Sequence, residues 1–508
     1  MAIAHERRGR EARRQERLHA PVVQRRTLVR EIPLYELLDA ERLEIVHDAS
    51  MTILEEIGID FRDDEAIQLW RAAGADVKGQ RVRMPRALVM AKLATIPESF
   101  VQHARNPERD VTIGGRHTVF APTYGSPFVR GFDNVRRYGT LEDLRTFIKL
   151  AYMTPHMHHS GGVICEPVDV PVPKRHLEMV LSHIKFSDKP FMGMVTAKER
   201  AEDTVTMARI LFGEDFVERN QVLISVVNCN SPLVWDGTML AALKVYAKAN
   251  QAVLVTPFIM AGAMSPASTA GAVAQLNAEV LAGLAFTQLV RPGVPMVYGC
   301  FVSTVSMLSG APMLGTPEPA QMIYLSCQLA RKYKVPVRAG GMLCGSKIAD
   351  AQAAYESVQT MIPTVLGGTN FVLHSAGWLE AGLTAGYGKF VLDADQIGML
   401  ERFCRGVDLG PEGIAMDALR EVGPGGHYLG CAHTRRHYQT AFYLPQTCDN
   451  NSFEQWLAEG ELDANARALV TARKMLDEYQ APPLDPGIDE ALQAFVAKRK
   501  AELPDGVV

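Results

Sequence analysis

Eight short apolar, glycine-rich runs alternate with segments of helical period through the middle of the chain, and this alternation constrains the fold more than any other feature. The runs are Thr118 to Tyr124, Ser160 to Cys165, Pro190 to Thr196, Val222 to Asn228, Ala252 to Phe258, Met296 to Phe301, Val335 to Gly340 and Thr369 to His374. Helical periodicity fills 140–152, 174–186, 198–212, 237–249, 268–290, 317–333 and 350–362, with a last segment near 393–406. Strands as uniformly apolar as AVLVTPF at 252–258 fit a parallel sheet buried on both faces. Eight such units in series predict an α/β fold of the TIM (β/α)8 barrel type. A doubly wound open sheet is the alternative, disfavoured because no Gly-x-Gly-x-x-Gly follows the first strand.

The flanking regions read differently. Residues 34–57 carry Leu and Ile at helical spacing and stop at Gly58, a C′ position. A helix at 64–73, a ribbon from Val77 to Met84 and a helix from Pro85 to Ala94 follow. The expected organisation is a basic tail at 1–30, a helical lead-in at 31–117, the barrel at 118–410 and a helical and loop extension at 411–508.

Charge and cysteine usage narrow the function classes. The first 30 residues hold nine Arg against three Glu, so the formal net charge of −4 conceals an acidic body. An acidic body without a basic stripe excludes nucleic acid as the main partner. The eight Cys are scattered without a CxxC pair, which predicts reduced thiols and a cytoplasmic protein. Apolar runs are broken by Gly, Pro or charge before membrane-spanning length, so no membrane partner is expected.

In a barrel the chemistry sits at the carboxyl ends of the strands. There the chain offers Tyr124, Asn228, Tyr298, His374, Trp378 and Tyr387, with Glu356 and Glu380 near by, and few other titratable groups. Aromatic faces attract quaternary ammonium ions, so this set suggests a methylated-amine pocket, although ordinary packing at a barrel mouth uses the same residues. A hydrolytic metal site needs several converging His and carboxylates; only His374 and Glu166 are placed for one, and the HMHH run at 156–159 precedes the second strand. Cys431 and His433 lie in a loop beyond the barrel, whereas loop placement of Cys344 predicts an exposed thiol.

Five blocks carry a family resemblance: ILEEIGIDF at 53–61, the stretch from Pro257 to Gly299, GSKIADAQAAYE at 345–356, HSAGWLEAGLT at 374–384 and GPGGHYLGCAHTRRHY at 423–438. In this order they resemble the trimethylamine methyltransferase (MttB) superfamily over about 30–470. The resemblance implies a TIM barrel that moves a methyl group from a methylated amine to the Co(I) of a corrinoid carried by a separate protein. The founding members hold pyrrolysine near the segment matching Gly340 to Gly345, and this chain does not. It therefore looks like the pyrrolysine-free branch that demethylates quaternary amines such as glycine betaine.

On that reading Tyr124, Tyr298, Trp378 and Tyr387 face the cation, Glu356 and Glu380 are charge partners, and Asn228 and His374 serve a substrate carboxylate. No Asp-x-His-x-x-Gly pattern is present, so the corrinoid is expected from a partner protein rather than bound tightly by this chain, and no metal ligand set is expected. A homo-oligomer is a further expectation of the resemblance. The alternatives are a trimethylamine or other methylated-amine methyltransferase, a metal-dependent barrel hydrolase, and a non-catalytic betaine-binding homologue.

Overall fold

The computed structural model describes residues 27–506. Seven parallel strands form its centre: β1 (His117–Phe120), β2 (Phe191–Met192), β3 (Leu223–Val227), β4 (Ala252–Val255), β5 (Met296–Gly299), β6 (Val337–Arg338) and β7 (Phe371–Val372). They hydrogen-bond in the order β2-β3-β4-β5-β6-β7-β1, a curled sheet whose ends are β2 and β1. Each is followed, directly or after a loop, by a helix: α1 (Leu141–Met153) and α2 (Val172–Phe186) after β1, then α3 (Lys198–Phe212), α4 (Gly237–Lys248), α5 (Thr269–Val290), α6 (Pro317–Lys332), α7 (Ala351–Gly367) and α8 (Tyr387–Cys404).

The run expected as the second strand, Ser160 to Cys165, is irregular. Its backbone bonds both edges: the His158 and His159 amides donate to the Phe120 carbonyl, Ser160 donates to Pro190, and Met192 donates to Gly161. Gly161 sits at φ +92 against Pro122, and a Cβ on Gly162 would lie 3.0 Å from the Tyr124 ring, so neither position admits a regular strand with side chains. The buried His183 ring, on α2, fastens this segment by hydrogen bonds to the Ser160 hydroxyl and the Gly162 carbonyl, both 2.7 Å.

Alternation along the strands sorts the core into two compartments. Val119, Met192, Ile224, Val226, Leu254, Val297 and Phe371 fill the lumen of the curl, while their neighbours Phe120, Val227, Val253, Tyr298 and Val337 pack under the helices. A hairpin of Ser99–Gln102 and Val111–Gly114 inserts Phe100, Val111 and Ile113 into the amino end of the lumen. The opposite end is extended by Phe258–Ala261 pairing with Phe301–Val305, and by Trp378–Leu379, Thr384–Gly386 and Phe128–Arg130 in a second small sheet.

Helix α5 has the length and hydropathy of a bilayer span, yet 89% of its most apolar window is buried in the fold. It lies between the sheet and two lead-in helices, Ala40–Thr52 and Arg86–Leu93, which explains apolar residues on every face. The lead-in helix runs 40–52 and continues as one wide turn to Ile57 before Gly58 at φ +77. Ala464–Asp477 packs on α8 and α1, and Pro486–Glu502 on α2 and α3, so the extension grips the helical layer. Arg30, assigned to the tail on sequence, is buried and bonds Thr118, the Thr369 carbonyl and the Gly115 carbonyl. Residues 1–26 of that tail lie outside the described residues.

Candidate functional site

At the carboxyl end of the curl, three rings and one guanidinium meet. The Phe301 ring stacks on His374 with centroids 5.1 Å apart, and Trp378 stands edge-on to both, 4.4 Å from His374 and 5.8 Å from Phe301. Phe258 extends the group at 5.0 Å from Phe301. The Trp378 indole is fixed by donating to the Cys344 carbonyl, and its six-membered ring packs over Gly382, where a Cβ would lie 2.5 Å from it. The face of an aromatic ring attracts a cation that has shed its water.

His374 belongs to a strained turn: it adopts φ +64, and Glu380 and Ala381 are also left-handed. Its Nδ1 accepts the Tyr124 amide at 3.2 Å, which leaves the proton of the neutral ring on Nε2. Burial, reinforced by the Arg338 charge, holds the ring well below its ordinary pKa, so it is neutral at pH 7. Tyr124 packs beside Gly162 at the same end, and burial together with the Glu166 charge pushes its phenol up.

Arg338 was not among the sequence candidates. It is 1% exposed at the end of β6, the position on that strand that faces the lumen, with its Cζ 4.9 Å from the Phe301 ring centroid. Nη1 donates to the Cys300 carbonyl at 2.8 Å and to Thr256 Oγ1 at 3.3 Å. Burial pulls the group down to about 10, so it stays charged at neutral pH. The signal available in the sequence was a lone Arg within the apolar strand-end run VPVRAGG.

Several expected site residues lie elsewhere. Tyr298 points outward because Val297 and Gly299 take the lumen side; its hydroxyl donates to Asn277 on α5 under the helices. Tyr387 opens α8 and donates to Asp143 at 2.6 Å, in a pocket with Phe132 and Phe147. Glu380 pairs with Arg136 and accepts from Thr384; burial raises its carboxyl, and these bonds more than offset it, leaving it below the ordinary value. Glu356 accepts the Gly345 amide at 2.7 Å and Gln352, so it braces the loop after β6. Both carboxylates are therefore engaged within the protein. Asn228 is exposed at the end of β3, on a loop that buried Glu279 anchors through Cys229, Ser231 and the Leu233 amide.

The metal-hydrolase expectation is also corrected. His156 and His158 face Glu401 on α8, at 2.7 and 3.1 Å, whereas His159 turns toward Phe371 in the lumen. Adjacent residues on opposite faces of the wall cannot converge on one ion with His374. Among the described residues, the two groups with metal-compatible spacing are Glu412, His433 and His437, and Glu44, His47 and Asp48. Arg436 pairs with Glu412, while Lys332 and Arg86 pair with Glu44 and Asp48, so both are ion-pair networks distant in sequence from the rings. Cys431 caps the helix Ala432–His437, and Cys344 is buried, donating to the Trp378 carbonyl, with its thiol pushed up to about 11 by burial. A cavity of about 270 Å3 beside Met313 and Met322 lies outside this cluster.

Fold and site together describe an α/β protein with an aromatic mouth at the carboxyl ends of its strands. Comparison with known proteins gives the family. The profile of trimethylamine methyltransferase (MTTB) matches residues 6–504, and the chain belongs to that family. It is 45% identical to a glycine betaine methyltransferase of Desulfitobacterium hafniense (strain Y51), over 93% of this chain and 98% of that protein. It is 30% identical to a proline betaine:corrinoid methyltransferase of Eubacterium limosum, over 87% and 93%. A trimethylamine methyltransferase MttB of D. hafniense (strain DSM 10664 / DCB-2) is 26% identical, over 91% and 93%. Among solved structures, the monomethylamine methyltransferase (MtmB) of Methanosarcina barkeri superposes with a TM-score of 0.47 at 11% identity, covering 89% of this chain and 90% of that one.

Proposed function

We propose that the protein is a methyltransferase that moves a methyl group from a quaternary amine of the glycine betaine type to a corrinoid carried by a separate protein. The observation that carries this reading is the cluster of Phe301, His374 and Trp378 with a neutral imidazole and no free carboxylate. The nearby carboxylates are committed elsewhere: Glu166 to Arg175, Glu380 to Arg136, Glu356 to the Gly345 amide, and Asp393 to Lys389 and the Gly377 amide. The names of the betaine relatives support the same assignment.

The site suits the chemistry. A quaternary ammonium leaves as a neutral amine, so no general acid is needed once the methyl carbon is attacked. The Co(I) corrinoid, as acceptor substrate, supplies the electron pair of the new bond, while the pair of the broken C–N bond stays on nitrogen. The rings orient one methyl toward the open end and exclude water, and such positioning can lower a barrier by several kcal/mol. Too strong a cage would slow transfer, because the positive charge fades as the bond breaks. Three rings with a neutral imidazole among them hold the cation without a full counter-charge.

We also infer that the curl is a closed barrel of eight positions, the second taken by the irregular segment 158–162 that bonds both β1 and β2. The mouth is then a rigid rim on which Phe301, His374 and Trp378 are fixed. The test is to incubate purified protein with cob(I)alamin and glycine betaine and follow methylcobalamin and dimethylglycine. Stoichiometric appearance of both supports the reading; trimethylamine turnover in preference to betaine contradicts it.

A further inference from the structure

Arg338 is a buried cation without a counter-ion. Its Nη1 uses both hydrogens, on the Cys300 carbonyl and Thr256 Oγ1. Among the described residues Nε is buried without a partner, and both hydrogen bonds given for the guanidinium leave from Nη1. A purely structural tie between β4, β5 and β6 needs only the Nη1 bonds. What remains is the Nε/Nη2 edge of the guanidinium, the edge that receives a carboxylate with two parallel hydrogen bonds. Leaving that edge empty in a dry wall is costly, and groups so arranged are retained where a ligand completes them.

The neighbours define the rest of the ligand. Phe301 touches both the guanidinium, 4.9 Å from Cζ, and the ring cluster with His374 and Trp378. An anion on Arg338 and an alkylammonium against the rings therefore sit within one small molecule. The neutral His374 brings no charge of its own and offers an Nε2 donor.

We infer that Arg338 is the carboxylate anchor of the site, so that its substrates are short N-methylated amino-acid zwitterions and not amines or amino alcohols lacking a carboxylate. This rests on the quaternary-amine reading of the same site, and it assigns the selectivity to one side chain. Binding of the zwitterion neutralises the buried charge, whereas choline leaves it unpaired.

Calorimetry on the full-length protein tests it with glycine betaine against choline, which keeps the trimethylammonium and replaces the carboxylate. Wild type is expected to prefer glycine betaine by about 30-fold or more, and Arg338→Met to bind the two within about threefold of each other. Arg338→Lys retains the charge without the fork and is expected to lose about tenfold for glycine betaine, which keeps the test alive if the Met variant does not fold. Arg338→Met is also expected to melt above the ligand-free wild type, since an uncompensated charge has been removed. Equal affinity of wild type for the two ligands, no binding of glycine betaine, or an unchanged preference in Arg338→Met overturns the inference. Turnover with cob(I)alamin separates the two readings: methyl transfer without carboxylate preference overturns the Arg338 assignment alone, and carboxylate-selective binding without transfer overturns the methyltransferase reading alone.

Discussion

The imidazole Nδ1 of His374 accepts the backbone N–H of Tyr124 at 3.2 Å, joining the segment after β7 to the segment after β1. That one bond sets the tautomer, aims the ring at Phe301 and Trp378, and ties these two segments at the mouth. His374→Gln cannot accept and stack in the same geometry, so kcat/KM for betaine is expected to fall about tenfold or more while far-UV circular dichroism is unchanged. Because burial keeps the ring neutral, wild-type kcat/KM is expected to be flat between about pH 6 and 8. A sigmoidal fall in activity with its midpoint near 6.5 that is lost in His374→Gln would show His374 titrating and contradict its role as a neutral wall.

The rings are predicted to act by cation attraction. Phe301→Leu keeps most of the apolar volume and Trp378→Leu only part of it; both lose the quadrupole, a loss of about 0.5–2 kcal/mol each, so the Kd for glycine betaine rises roughly 2- to 30-fold. Calorimetry reads this directly, and unchanged affinity in both variants argues that the cation binds elsewhere.

Tyr298→Phe and Tyr387→Phe serve as the counter-test, since both were sequence candidates and both face the helical layer. Each removes one hydrogen bond, to Asn277 or Asp143, and is expected to cost about 1 kcal/mol in urea unfolding with kcat/KM unchanged. A selective loss of betaine affinity in either would return that tyrosine to the pocket.

Stability is expected to fall with acid through His183, whose pKa burial lowers to about 4 from 6.5. The unfolded state binds the proton more readily, so the contribution is full above pH 6.5 and is lost as pH falls toward 4, about 3 kcal/mol in all. Glu401, held down to about 2 by His156 and His158 against its burial, adds a second loss below pH 4.5. Thermal melts from pH 7 to 4 on wild type and His183→Gln check this. A variant curve as steep as wild type between 6.5 and 4 means that other groups dominate.

All eight helices were legible because amphipathic period survives tertiary context; the last begins at Tyr387 instead of 393 because its first turn is buried against α1 and carries little polarity. Strand positions were legible where runs were wholly apolar, as at Ala252–Val255. Ser160 to Cys165 looked equivalent, but Gly161 and Gly162 let the chain bend against Pro122 and Tyr124. The site was less legible, since a strand end gives position without side: Tyr298 and Gly299 are neighbours, and only the glycine faces the lumen. Phe301 and Arg338 were passed over because an apolar residue and a single charge in a strand carry no motif of their own.

A crystal structure of the protein soaked with glycine betaine tests the central claim most directly. The trimethylammonium is expected against Phe301 and Trp378, the carboxylate on the Nε/Nη2 edge of Arg338, and one methyl turned to the open end of the lumen. Ligand density away from that cluster, with Arg338 untouched, would contradict it.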